Sequence, residues 1–242
     1  RPAHQAGGLA AVLADAGAGV ALLPAIRIVD VDPPDAAALR ERLADPRAIA
    51  VFTSSNAVRG ALARLGPPSA WQAALLAVGR ATAAALTGTG LPVQVPEAGY
   101  DSESLLALPM LQRDSVARRA VLLIGGEGGR TLLAETLAAR GAHVQAVAVY
   151  RREAAAFSAA EVRERLGPQV DALIATSGEI LAALAALLRS AGRQDCLAAA
   201  LVVPAARLVD AARAAGFTGP VLVAESAHDA DLVAALVRQR RP

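Results

Sequence analysis

The chain has 242 residues, 55% of them hydrophobic and only 2% aromatic, with a formal net charge of +2. That length and apolar content suffice for one large α/β domain or two small ones with a buried core, and they argue against disorder. So few aromatics leave little to stack on bases, and scattered arginines make no basic stripe, so nucleic acid is not expected as a partner. All 24 basic residues are arginine; without lysine, Schiff-base chemistry, a phosphate-loop lysine and a catalytic lysine amine are excluded. His4, His143 and His228 share no ligand spacing, so no metal is expected. Apolar runs are cut by Pro204, Gly192 or Arg189 well short of the ~20 residues a bilayer span needs. A soluble, cytoplasmic protein without a membrane partner is the expectation; no secretory leader is visible, and because the sequence opens at Arg1 without a methionine, an N-terminal piece is expected to be missing. The lone Cys196 sits in an apolar run and reads as a small buried hydrophobe rather than a nucleophile.

In chain order, an Ala-rich helical stretch carrying Leu9 and Leu13 stops at Gly17, with an extended run expected around Val20. The charged, proline-bearing stretch from Arg27 to Asp35 reads as a linker. Ile49 to Thr53 is a continuous apolar run that opens through Ser54, Ser55 and Asn56 into a helix ending at Gly66. Leu76 to Gly79 leads into a helix ending at Gly90. Val121 to Gly125 runs into the glycine-rich turn Gly125 to Arg130, then a helix with Leu133 and Leu137 ending at Gly141, then the strand Val144 to Val149. Tyr150 to Ser158 is the second linker candidate. Leu173 to Thr176 and Leu201 to Pro204 each precede a helix, ending at Gly192 and Gly216. Buried strands alternating with glycine-stopped helices specify an α/β class with parallel sheets.

Three kinds of unit occur twice. Leu9, Leu13, Gly17, Ala18 and Val20 match Leu133, Leu137, Gly141, Ala142 and Val144. Val51-Phe52-Thr53-Ser54 matches Ile174-Ala175-Thr176-Ser177. Leu76 to Gly79 resembles Leu201 to Pro204. A duplicated module would place ligand beyond the carboxyl ends of its strands, in a cleft between two similar halves.

The motifs admit two readings each. Thr53-Ser54-Ser55-Asn56 and Thr176-Ser177-Gly178-Glu179 could hold a carboxylate at a helix N-terminus, or could simply cap helices, the second with capping-box spacing from Thr176 to Glu179. Gly125 to Arg130 fails both the phosphate-loop and the dinucleotide pattern and remains a flexible turn whose amides could approach an anion. Gly79-Arg80-Ala81-Thr82 either admits a ligand to the backbone or starts a helix. Tyr150, at the end of its expected strand, could donate a proton to a leaving group or pack at a hinge; Tyr100 lies in a loop. Ser158 with Glu161 reads as a structural cap.

The series Phe52-Thr53-Ser54-Ser55-Asn56-Ala57-Val58, Val78-Gly79-Arg80-Ala81-Thr82-Ala83, Pro96-Glu97 with Asp101 to Leu106, Gly125 to Arg130, and Val147-Ala148-Val149-Tyr150-Arg151-Arg152 closely resembles the uroporphyrinogen-III synthases, in order and spacing, across essentially the whole chain. The resemblance implies two flavodoxin-like parallel-sheet α/β domains joined by a two-stranded linker with a cleft between them, 1–32 plus 153–242 forming one and 33–152 the other. It implies a monomeric, cofactor-free hydro-lyase of tetrapyrrole (heme) biosynthesis. Its substrate would be hydroxymethylbilane, a linear tetrapyrrole with eight carboxylates, dehydrated and cyclised with inversion of the last pyrrole. By the same resemblance Tyr150 assists loss of the hydroxyl, and Thr53, Ser54, Thr82, Thr176 and Ser177 match the family's cleft-lining turns; Arg1, Ser55, Gly79, Gly126, Gly178 and Arg207 are expected beside them as substrate contacts. Two departures stand out. Arg1-Pro2 resembles the end of the family's first strand, so that strand is expected to be missing; and Pro204-Ala205-Ala206-Arg207 lacks the usual hydroxyl. They motivate the alternative of a catalytically weakened tetrapyrrole-binding protein of the same fold. A nucleotide-sugar transferase, the third reading, lacks its phosphate fingerprint.

Overall fold

The computed structural model describes residues 1–96, 101–129 and 131–240; Glu97, Tyr100 and Arg130 lie outside the described residues. Its elements begin with α1 (Gly7–Asp15), β1 (Ile26–Asp30), α2 (Ala36–Leu43), β2 (Ile49–Phe52), α3 (Ser55–Arg64), β3 (Ala74–Ala77), α4 (Arg80–Thr87), β4 (Val93–Gln94), α5 (Ser102–Leu106) and α6 (Arg113–Val116). They continue with β5 (Ala120–Gly126), α7 (Leu132–Ala139), β6 (His143–Ala154), α8 (Ala159–Leu166), β7 (Ala172–Ile174), α9 (Gly178–Ser190), β8 (Ala200–Val203), α10 (Leu208–Ala215), β9 (Val221–Val223) and α11 (Asp229–Arg240). The chain divides into two compact units, residues 1–27 with 153–242, and residues 28–152; we call these unit 1 and unit 2.

Unit 2 is organised by a sheet in the order β1-β6-β5-β2-β3-β4. β2 pairs in parallel with both β3 and β5, β3 with β4, and β5 with β6. β1 is different: Val31 N–H donates to Val149 O while Ala155 N–H donates to Ala25 O. Positions on β6 therefore fall as those on β1 rise, so the two strands are antiparallel and the sheet is mixed. The expectation of wholly parallel sheets is corrected here. The chain enters unit 2 along β1 and leaves along β6, and neighbouring entry and exit strands must run in opposite directions.

Numbered within unit 2, the parallel block reads 3-2-1-4-5 rather than the flavodoxin order 2-1-3-4-5. β2 lies at the centre; the chain winds outward through β3 and β4, then crosses back to place β5 on the other side. The apolar runs explain why these strands are central. In β2, Ala50 and Phe52 face one helix layer with Leu39, Leu43, Val58 and Leu86, whereas Ile49 and Val51 face the other with Leu105, Leu111, Val116 and Leu137. Alternate side chains point to opposite faces, so a strand buried on both sides must be apolar throughout. Phe52 stacks on Trp71 at 5.8 Å between centroids.

Unit 1 repeats the layering on a smaller parallel sheet, β7-β8-β9. Leu201 and Val203 of β8 pack with α8, α9 and α10 through residues such as Val162, Leu184 and Leu208, and Val202 packs with Leu9 of α1 and Leu232 and Val233 of α11. Helix ends fall where glycine permits a left-handed residue: Gly66 has φ +84° and Gly216 +96°.

The extended run expected around Val20 is not a strand: residues 18–24 carry no sheet pairing. β7 is an edge strand, and a cavity of about 830 Å³ is lined by its Ala172, Leu173 and Ile174 together with residues 16–24. The stretch lines that cavity without pairing to the open edge of β7, and Val20 and Leu22 stay exposed.

Candidate functional site

The strand order of unit 2 reverses between β2 and β5, and in open α/β sheets the crevice beyond the carboxyl ends at such a reversal is where ligands sit. The residues there are Thr53 to Ser55, following β2, and Gly125-Gly126, closing β5. Thr53 N–H donates to Ile124 O at 3.1 Å, so the chain stays tied to β5 one residue past the strand, with its side chain exposed. Ser54, extended at φ −163°, is the N-cap of α3: its Oγ accepts Ala57 N–H at 3.1 Å. Ser55 is the first helical residue.

Unit 1 has the same turn after β7. Ser177, at φ −155°, caps α9 by accepting Ile180 N–H at 3.2 Å, and Gly178 opens the helix. The capping box read from Thr176 to Glu179 is corrected: the cap is one residue later, because Ala175 N–H is still bonded to Val202 O and the chain leaves the sheet only at Thr176. In both turns a threonine precedes a capping serine, so the helix consumes the serine oxygen and not the threonine's.

The glycine-rich segment is corrected too. Gly125 and Gly126 belong to β5, with a register irregularity between them that sets Gly126 opposite Tyr150. The turn comes after them, where Glu127 N–H donates to Tyr150 O at 2.9 Å and Gly128 has φ +68°. Both glycines are required by their neighbours. A Cβ at Gly125 would lie 2.7 Å from Thr53 Oγ1, and one at Gly126 2.6 Å from Tyr150 Cε2 and Cζ.

Tyr150 is not at a strand end, since β6 continues to Ala154. Its ring lies against Gly126 and is 4% exposed, with Oη 3.1 Å from Ser54 Oγ. Arg152 Nη1 donates to Oη at 3.4 Å, its guanidinium carbon 6.0 Å from the ring centroid. Thus Ser54, Gly126 and Tyr150 come together with Thr53 at one edge of unit 2. Sequence reasoning missed Arg152 in this group, although its i, i+2 spacing from Tyr150 puts both side chains on one face of a strand.

The other expected site residues are placed as follows. Gly79 is the N-cap of α4, and a Cβ there would meet nothing within 4 Å. Thr82, in the first turn of α4, is buried. Arg207 is exposed immediately before α10, which has no side-chain cap. Arg1 is tied up within unit 1: Nη1 pairs with Asp229 at 2.5 Å and Nη2 donates to Ala227 O at 2.5 Å. Asp101 caps α5, accepting Ser104 N–H at 2.8 Å. Burial pushes the Cys196 thiol up from its ordinary value, in keeping with a packed, protonated side chain. Among the described residues no group of three or more His, Cys, Asp or Glu could hold a metal ion, and no helix is long and apolar enough to cross a membrane.

Comparison with known proteins bears on this arrangement. The chain is 39% identical over 163 residues to a uroporphyrinogen-III synthase of Salmonella typhimurium and 37% identical over 163 residues to that of Escherichia coli. Each match takes in 66% of this chain and 65% of the relative, just under two thirds of its length. Two solved structures share the fold. A uroporphyrinogen III synthase of Thermus thermophilus superposes with TM-score 0.58 at 21% identity, covering 97% of this chain and 94% of that one. A uroporphyrinogen-III synthetase of Helicobacter pylori gives TM-score 0.64 at 14% identity, covering 90% and 92%. The family model described as Uroporphyrinogen-III synthase HemD matches residues 8–234, nearly the whole chain, and the chain therefore belongs to the uroporphyrinogen-III synthase family.

Proposed function

We propose that the protein is a uroporphyrinogen-III synthase, a cofactor-free hydro-lyase that converts hydroxymethylbilane to uroporphyrinogen III. The observation that carries this reading is the Tyr150 hydroxyl, held by Ser54 and Arg152 at the sheet reversal of unit 2. The Tyr150 O–H passes its proton to the terminal hydroxyl of the substrate as the C–O bond breaks with its electron pair, releasing water and leaving a conjugated cation. The substituted α-carbon of the last pyrrole attacks that cation to give a spirocycle. The bond from that carbon to its original bridging methylene then breaks, leaving the cation on that methylene, which the unsubstituted α-carbon of the same pyrrole attacks. The proton this carbon loses as the pyrrole regains aromaticity returns to the phenolate. Substrate minus water equals product, with no oxidant or cofactor required.

Spontaneous closure gives the uninverted isomer, so selectivity must come from holding the flexible chain curled and favouring one transition state over its competitor. The substrate's carboxylates suit the amide-rich starts of α3, α4 and α9, with Thr53, Ser55, Gly79, Thr82, Thr176, Ser177 and Gly178 at those positions and Arg207 before α10. In this reading the two units, 1–27 plus 153–242 and 28–152, correspond to the two domains expected as 1–32 plus 153–242 and 33–152. β1 and β6 form the two-stranded linker, and the protein acts as a monomer.

The turn Pro204 to Arg207, which offers no hydroxyl, favours the second reading, a tetrapyrrole-binding protein of weakened activity. One assay separates the two. Hydroxymethylbilane generated in the same vessel is supplied, and the type III to type I ratio is measured after oxidation. Predominantly type III product is expected. Only type I, with thermal stabilisation by added uroporphyrinogen, would leave the binding protein standing.

A further inference from the structure

Tyr150 Oη carries one hydrogen and accepts two, and the groups around it decide where that hydrogen points. Arg152 can only donate, and its Nη1 does so at 3.4 Å. Ser54 Oγ lies 3.1 Å from Oη and accepts Ala57 N–H, also at 3.1 Å, as the cap of α3. A hydroxyl that already accepts from a backbone amide is polarised to donate in turn. A donation from Ser54 to Oη fills its second acceptor position and leaves the phenol hydrogen turned away from both neighbours.

We propose, resting on the synthase reading, that Ser54 is a positioning residue for Tyr150: its hydroxyl donates to the phenol oxygen and aims the phenol hydrogen at the departing hydroxyl of the substrate. The chain of donors runs one way, from Ala57 N–H through Ser54 O–H to Tyr150 O–H. Once the proton has gone, the same two donors hold the phenolate until the proton released on ring closure returns. Ser54 thus acts through Tyr150 rather than by touching a carboxylate, while the hydroxyl of Thr53, one residue earlier, donates to Ile124 O at 3.3 Å. Gly126 serves the same end by clearing space for the ring.

Three variants test this. Ser54→Gly keeps a tolerated N-cap but removes the hydroxyl, whereas Ser54→Thr keeps both. Steady-state kinetics should show kcat reduced about tenfold in Ser54→Gly with KM within about twofold, and recovery in Ser54→Thr, because an interaction used only in the transition state appears in kcat. In a Tyr150→Phe background, Ser54→Gly should cause no further loss, since its partner oxygen is already gone. A raised KM with unchanged kcat would make Ser54 a substrate contact. An undiminished tenfold loss in the Tyr150→Phe background would show that it acts independently of the phenol; either result overturns the proposal. Wild-type protein that makes only the type I isomer would instead refute the synthase reading on which it rests.

Discussion

Gly126→Ala is the sharpest perturbation of the site, because the added atom has nowhere to go. Its Cβ would lie 2.6 Å from Tyr150 Cε2 and Cζ and 3.0 Å from Oη. Carbon atoms rest about 3.5–4.0 Å apart, so the ring must shift by roughly 1 Å. The buried ring sits on a sheet bonded on both sides of β5, so the strain is taken up by Tyr150 rather than by the backbone. Overpacking of this kind costs about 1–3 kcal/mol, and for a chain of this size each kcal/mol lowers Tm by about 2–4 °C. Under the proposed synthase reading the catalytic cost is larger, since displacing a reacting group by about 1 Å can cost about 10²-fold in rate. Turnover of hydroxymethylbilane at a temperature well below the variant's Tm gives the rate, and thermal unfolding gives the stability. A folded Gly126→Ala protein with kcat within twofold of wild type would refute the reasoning, because the phenol position would then not matter.

Two further predictions use features the chain supplies. Trp71, the only tryptophan, is buried in unit 2, and Cys196, the only cysteine, is buried in unit 1. Phe52→Ala removes the ring stacked on Trp71 and should cost about 3–5 kcal/mol. It should lower the fluorescence-monitored transition with little effect on thiol-reagent access to Cys196, and Leu188→Ala should do the reverse; equal movement of both probes would show that the units unfold as one. The Glu161 carboxyl is held below its ordinary value, first by Ser158 N–H and second by the Ser158 hydroxyl, completing the cap of α8. A depressed folded pKa contributes stability that is present above the unfolded value and lost as pH falls through the folded one. The stability gap between wild type and Glu161→Gln should therefore close as denaturation is measured from neutral into the acid carboxylate range, and a constant gap would contradict the assignment.

The parts of the fold that were legible in the sequence are those with local causes. Runs such as Ile49 to Phe52 have no polar side chain to turn outward, so they announce a strand covered on both faces. Glycines such as Gly66 and Gly216 announce helix ends because the left-handed conformation is nearly theirs alone. The full capping box of Ser158 and Glu161 is also local. What was not legible depends on distant partners. No spacing marks Ala25 as the partner of Ala155, so the antiparallel β1 could not be read. Val20 fits an extended pattern, but a strand exists only where another edge can pair with it, and none does among the described residues. Gly126 looked like part of a turn because its requirement, the ring of Tyr150, comes 24 positions later. The cap at Ser177 rather than Thr176 turned on a single ladder bond from Ala175, which residue types do not encode.

The central claim is that the Tyr150 hydroxyl supplies the proton that frees water from the substrate. Single-turnover kinetics of Tyr150→Phe, set beside its dissociation constant for product, tests this most directly. Removing a general acid costs about 10²–10⁴-fold, and because the reaction also proceeds without a catalyst, a loss near the lower end is expected, with product affinity within about twofold of wild type. Unchanged turnover, or equal losses in turnover and affinity, would contradict the account and reduce Tyr150 to a packing residue.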